Sequence, residues 1–291
     1  MQLEFRELQA EDAAWAAPIM TASGRKGCEY SYTTAYMWSR FYNVKMARDG
    51  DVIYLRSNGE HPSYAIPIGI DPVEGVERLR AIVGGDLRLH GIDDTIKGCL
   101  EQRYGDAIRF EEHDGDFDYL YESETLATLP GKDFHSKRNH ISAFSRKYNW
   151  QYEPITDDNT DDVLALSAQW CAEKGNCRDD GLRSERCAIR RLLEHRRTLS
   201  VVGGLIRVDG KAVAFTLGSP INDEVFDVHV EKALSEYATA YTVINREFAK
   251  TLTAYRYLNR ENDMGIPGLR KAKESYRPAI LLKKYTAYFV E

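Results

Sequence analysis

From Leu199 onward the chain alternates between short apolar-rich runs of strand length and polar breaks. Leu199 to Arg207 reads as a strand, Asp209-Gly210 has the form of a tight hairpin turn, and Ala212 to Leu217 reads as the returning strand. Val225 to Val230 predicts a third strand, and a stretch poor in breakers from about 238 to 253 predicts a helix. Tyr257-Leu258-Asn259 reads as a fourth strand, a helix is expected near 268–275, and Ile280 to Phe289 closes with strand character. Helices are expected before this series at 134–148, 157–172 and 184–197.

The pattern ahead of residue 134 is looser. Residues 11–48 read as helical and aromatic, interrupted at Ser23–Gly27. Val52–Leu55 and Tyr64–Ile68 predict a hairpin about Asn58-Gly59, and helices are expected near 72–83 and 93–104. Leu87–His90, Ile108–Glu111 and Tyr119–Glu122 read as strands, the last two flanking an acidic hairpin turn at 113–116. Strands of this kind mixed with helices predict an α/β (α+β) fold, with mixed, mostly antiparallel sheets flanked by helices. A chain of 291 residues is longer than one hydrophobic core usually organises. Two domains are therefore expected, 1–152 and 153–291, dividing where the chain leaves the basic helix, with no flexible linker between them.

Composition narrows the function classes. A formal net charge of −6 argues against a general nucleic-acid scaffold, although local basic stretches remain. No run approaches the ~18–20 apolar residues of a membrane span. The start Met-Gln-Leu-Glu-Phe has no apolar run behind a basic opening. A soluble, cytoplasmic protein without a membrane span is expected. Cys28, Cys99, Cys171, Cys177 and Cys187 show no C-x₂-C spacing, so free, buried thiols and no metal site are expected.

Three constellations can carry chemistry. On the strand at 224–231, alternation puts Asp227, His229 and Glu231 on one face. A polar triplet on a central strand is either solvated or lines a cleft, where His229 or Glu231 can take a proton from an amine or hydroxyl. The segment 132–147 carries five Lys/Arg and two His against one acid. Lys137 and Arg138 there suit the phosphates of an acyl carrier or a tRNA end. Last, six Lys/Arg fall between 270 and 284 against one acid, in a helix opened by Gly268 and stopped by Pro278. Lys273 can steady negative charge on an acyl carbonyl, and the preceding polar run, with Asn259, Glu261 and Asp263, can hold an amino group. Solvated basic and acidic faces are the competing reading of all three.

His-Ser-Lys-Arg-Asn-His at 135–140, Val-Glu-Lys-Ala at 230–233 and Gly-Leu-Arg-Lys-Ala-Lys-Glu-Ser-Tyr-Arg-Pro at 268–278 resemble the C-terminal domain of phosphatidylglycerol lysyltransferases. The resemblance implies two tandem GNAT-like domains, as in Fem-type aminoacyltransferases. It implies transfer of an aminoacyl or acyl group from aminoacyl-tRNA or acyl-CoA to an amine or hydroxyl, with no tightly bound cofactor. The expected partners are a small-molecule or carrier-bound acyl donor, tRNA among them. Lys273 falls on the lysine of the family's catalytic motif, whereas a second motif lysine is Ser275 here. The Arg/Gln-x-x-Gly-x-Gly/Ala pyrophosphate loop of acetyl-CoA enzymes is missing, because Lys232-Ala233-Leu234-Ser235 follows Glu231. The alternative is a non-catalytic GNAT-fold protein that binds a ligand or RNA.

Overall fold

The computed structural model describes residues 3–59, 61–84, 86–174 and 180–290. In chain order the elements are β1 (Arg6–Glu7), α1 (Ala13–Ala22), α2 (Tyr32–Trp38), β2 (Val44–Asp49), β3 (Val52–Ser57), β4 (Ser63–Ala65), α3 (Pro72–Val83), β5 (Arg88–Ile92), α4 (Asp94–Tyr104), β6 (Ile108–Glu112) and β7 (Asp118–Glu122). There follow α5 (Ser123–Thr128), α6 (His135–Lys147), β8 (Trp150–Pro154), α7 (Thr160–Glu173), α8 (Asp180–Glu194), β9 (Val202–Val208), β10 (Lys211–Pro220) and β11 (Val225–Ala233). The chain ends with α9 (Ala240–Lys250), β12 (Tyr257–Asn259), α10 (Pro267–Glu274), β13 (Ile280–Leu282) and β14 (Tyr285–Phe289).

Two compact units result, and neither is a consecutive half of the chain. One holds Met1–Leu120, Glu261–Ser275 and Ile280–Glu291, the other Tyr121–Arg260 and Tyr276–Ala279. The line expected at 152/153 falls inside the second unit.

In the first unit the sheet runs β1-β2-β3-β4-β5-β14-β6. Only β4 and β5 pair in parallel among these neighbours. The C-terminal strand β14 inserts between β5 and β6, which is why the unit is discontinuous in sequence. Residues 11–48 are not helical throughout: Val44–Asp49 is a strand, paired residue for residue with β3 from Val44↔Ser57 to Asp49↔Val52. Strand pairing here overrides a weak local helical signal. The expected hairpin of β3 and β4 forms, with Ser57 opposite Ser63. The expected hairpin of β6 and β7 does not, because β6 pairs with β14 and β7 with β13. Helix α3 starts where expected: Asp71 caps the amides of Val73 and Glu74, and Pro72 is its first residue.

In the second unit the sheet strands run β12-β11-β10-β9-β8, antiparallel except for β11 with β12. The β9–β10 turn is Asp209-Gly210, both at positive φ (49° and 82°), the geometry that matches strand twist. Helices α7 and α9 pack on this sheet. Phe248 of α9 meets Phe226 of β11 edge-on at 5.8 Å between ring centroids.

Cys28, Cys99 and Cys187 are free thiols, as expected, but they are not buried as expected: Cys28 is half-buried and Cys99 and Cys187 are exposed, and Cys171 is disulfide-bonded. Cys177 lies outside the described residues.

The pairing of β10 with β11 slips once. Leu217 faces Val230 but Gly218 faces Val228, so His229 is the extra residue of a bulge. Gly218 is required there, since a Cβ would stand 2.2 Å from the Asp227 carbonyl oxygen and 2.4 Å from the Phe226 ring. Gly218→Ala is expected to destabilise the protein by about 1–3 kcal/mol, read as a lower chemical-denaturation midpoint. An unchanged midpoint would mean that the strands part without cost.

Candidate active site

Strand β11 sits between β10 and β12, and its polar side chains answer one another within the second unit. The bulge turns the His229 ring so that Nδ1 stands 3.4 Å from Asp227 Oδ2, with both side chains fully buried. Nε2 lies 2.8 Å from Ser219 Oγ on β10. A carboxylate can only accept, so Nδ1 carries a proton, and in the neutral ring Nε2 accepts from the Ser219 hydroxyl. Aspartate, imidazole and hydroxyl thus form a chain across two strands. Asn259 of β12, fully buried, is the register partner of Asp227.

Two residues further on, Glu231 is engaged through both oxygens. Oε1 accepts from the Arg260 guanidinium at 3.0 Å and Oε2 from the Asn245 amide at 3.1 Å. Arg260 also stands over the rings of Tyr276 and Tyr121, at 5.0 Å and 5.7 Å from their centroids. Lys137, from the start of α6, places its ammonium 3.8 Å above the same Tyr276 ring. Burial first, and Arg260 second, push Lys137 down to about 8, against the pull of Glu231. Arg138 goes elsewhere: its guanidinium bonds the carbonyl oxygens of Leu129 and Gly131, closing the turn before α6.

Glu261, Asp263 and Lys273 belong to the first unit. The Glu261 carbonyl oxygen accepts from Lys273 Nζ at 3.0 Å, and Lys273 is buried 5.7 Å from the Tyr119 ring centroid. Asp263 is fully buried and accepts from Tyr119 Oη at 2.6 Å, the Gly265 amide at 2.8 Å and Arg270 Nε at 2.8 Å. Arg270 bonds Asp114 as well, at 2.8 Å. Asp263 therefore ties the 261–266 loop to α10.

The same unit contains a group that the sequence reading did not find. Lys284 Nζ is 2.7 Å from Asp118 and 2.7 Å from Glu29, and 3.3 Å from the Cys28 thiol. Cys28, Glu29 and Asp118 have the spacing of a metal trio, within 4.8 Å of one another. The lysine ammonium already supplies the cation that the carboxylates need. Burial, then Asp118, pushes the Cys28 thiol well above its ordinary value, which is the state of a structural thiol and not of a nucleophile.

Of the residues singled out in the sequence, the fold therefore gathers His229, Glu231, Asn259 and Lys137 in one unit and Glu261, Asp263 and Lys273 in the other. Ser219 and Asn245 were missed. Both are ordinary polar residues in strand and helix, and only the strand register and the packing of α9 bring them to His229 and Glu231.

Each unit carries a mixed, mostly antiparallel sheet flanked by helices, the α/β (α+β) class expected from the sequence. The chain belongs to the family described as phosphatidylglycerol lysyltransferase, C-terminal, whose model matches residues 21–288. A conserved protein of unknown function from Bacteroides thetaiotaomicron VPI-5482 is 35% identical, with a TM-score of 0.93 over 99% of this chain and 100% of that one. The C-terminal domain of a putative lysylphosphatidylglycerol synthetase from Agrobacterium fabrum shares the fold at a TM-score of 0.70 and 14% identity, over 97% of this chain and 93% of that one. An uncharacterised protein of Mycoplasmoides gallisepticum is 23% identical over 181 residues, 60% of this chain and 56% of that protein's length. This chain thus spans little more than half of that relative. Among the described residues no helix is long and apolar enough to cross a membrane.

Burial alone would raise the Asp263 carboxyl, but the bonds from Arg270, Tyr119 and the Gly265 amide outweigh it and hold the group below its ordinary value. The stability it confers is present above the unfolded aspartate value of ~3.9 and is lost as pH falls through the lowered native one. Asp263→Asn is expected to cost roughly 1–3 kcal/mol at pH 7. The gap between wild type and variant, followed by thermal melting, should narrow as pH falls below about 4. A gap that persists unchanged to pH 2 would show that the carboxylate charge is not what holds the loop.

Proposed function

We propose that this protein is an acyltransferase that moves an aminoacyl or acyl group from an activated donor to an amine or hydroxyl acceptor. The observation that carries the reading is the Asp227–His229–Ser219 chain at the bulge of β11, two residues from the paired Glu231. Asp227 fixes the ring so that Nε2 is the basic nitrogen, and the acceptor's proton reaches it through the Ser219 hydroxyl. Glu231, held at both oxygens, positions Arg260 and Asn245 and is not itself the proton acceptor. Lys273, on the lysine of the family's motif, is assigned the oxyanion that forms at the carbonyl. Asn259 and Glu261 are assigned to the polar surroundings of the substrates and Lys137 to the donor side, while Asp263, bonded to Tyr119 and Arg270, holds the loop that carries Glu261.

Aminoacyl-tRNA is the favoured donor and acyl-CoA the second. The segment after Glu231, Lys232-Ala233-Leu234-Ser235, offers no glycine-rich cradle for a pyrophosphate. No tightly bound cofactor enters the reaction.

A panel of tRNAs charged with labelled amino acids, and of labelled acyl-CoAs, with hydroxylamine as acceptor, tests the reading. Transfer is expected from at least one donor. His229→Gln is expected to lower the rate by roughly 10²–10⁴ and Lys273→Met by roughly 10²–10³, with melting temperatures kept. Absence of transfer from every donor, with no donor changing the melting temperature, would sink the transferase. A donor that raises the melting temperature without being consumed would instead identify a binding protein.

A further inference from the structure

The first unit holds a cavity of about 1180 Å³ that none of the chemistry above uses. It opens beyond the carboxyl ends of β4 and β5, which pair in parallel, where α3 and α4 begin. Crevices at such strand ends are where α/β sheets bind their ligands. Helix α1, the loop after it and β13 line the other sides. Ile19, Ile70, Ile96, Ile280 and Leu282 supply an apolar wall, and each is buried or half-buried.

Charge decides what this wall can receive. Two helix N-termini at one crevice would suit an anion, but here their amides are taken. Asp71 Oδ1 accepts from the amides of Val73 and Glu74, and Asp93 Oδ1 from the amide of Ile96. Asp94, next in the lining, accepts from Tyr285 Oη through Oδ1. Each of these carboxylates keeps its second oxygen, and among the described residues none of the three is bonded to a cation. Asp51 lines the cavity as well, with Arg48 at 3.4 Å. The cations in the lining, Arg25 and Lys26, are both engaged, Arg25 with the Tyr30 ring at 4.6 Å and the Ile66 carbonyl oxygen. The two N-termini offset roughly one charge between them. A surplus of negative charge therefore stands beside the apolar wall.

We propose that this cavity binds an organic cation, an ammonium carried on an aliphatic or aromatic body. The ammonium takes the second oxygens of Asp71, Asp93 and Asp94, and the body lies along the isoleucine wall. An anion is repelled by the capping carboxylates, and a neutral chain leaves them unpaired.

Calorimetric titration of the full chain with hexylamine, hexanol and hexanoate tests this, because the three share a body and differ in charge. Hexylamine is expected to bind at least roughly tenfold more tightly than either of the others, and more weakly as salt is raised. Shortening it to butylamine should weaken it roughly tenfold, through two lost methylenes. Asp71→Asn, Asp93→Asn and Asp94→Asn together remove the charges, while each side-chain carbonyl can still accept the bond its aspartate made. The triple variant should bind hexylamine at least roughly tenfold more weakly. Asp94→Asn alone, exposed and outside both caps, should already weaken it severalfold. No binding of hexylamine, equal binding of the three probes, or variants that bind as tightly as the wild type would overturn the proposal. None of these results bears on the transfer reading, which uses no residue of this cavity.

Discussion

A charge set inside a sheet has to be paired where it stands, because the interior cannot solvate it. That constraint organises both units. In the second, Glu231 is held between Arg260 and Asn245, and His229 between Asp227 and Ser219. In the first, Lys284 lies between Asp118 and Glu29, and Asp263 collects Tyr119, Arg270 and a backbone amide. Loops and helix ends are positioned by these pairings, and the reactive character of each group follows from what it is paired with.

Pairing also separates groups that can do chemistry from groups that only hold shape. Arg138 has the right charge for a phosphate, but its guanidinium closes a turn. Cys28 has the right element for a nucleophile, but burial beside a carboxylate keeps it a thiol. Glu231 is a carboxylate on a central strand, yet both oxygens are occupied. In the transfer proposed above the proton carrier is His229, whose ring Asp227 orients at the bulge. The bulge itself depends on a glycine, since the strands approach too closely at Gly218 for any side chain.

Much of the architecture was legible in the sequence because it is local. The Asp209-Gly210 turn, the Asp71-Pro72 helix start and the three residues of β12 are set by backbone preferences that act over a few residues. The misreadings were non-local. Residues 44–49 were taken with the helical region before them because their strand character lies mainly in the partner β3. The acidic segment 113–116 looked like a hairpin because nothing in it says that its flanking strands find other partners, β14 and β13, more than a hundred residues away.

The sequence by itself determined the periodicity of the elements, the family, and the presence of Asp227, His229 and Glu231 at alternate positions of one strand; it did not determine that they share a face, because the bulge at His229 shifts the pairing by one and turns Glu231 to the side opposite Asp227. Tertiary structure alone decided that Ser219 would meet His229, that Asn245 and Arg260 would occupy Glu231, that Lys137 would share a ring with Arg260, and that the last strand would return to the first unit. Those outcomes depend on register and on chain return across long separations, where the energy lies in contacts that no short stretch of residues contains.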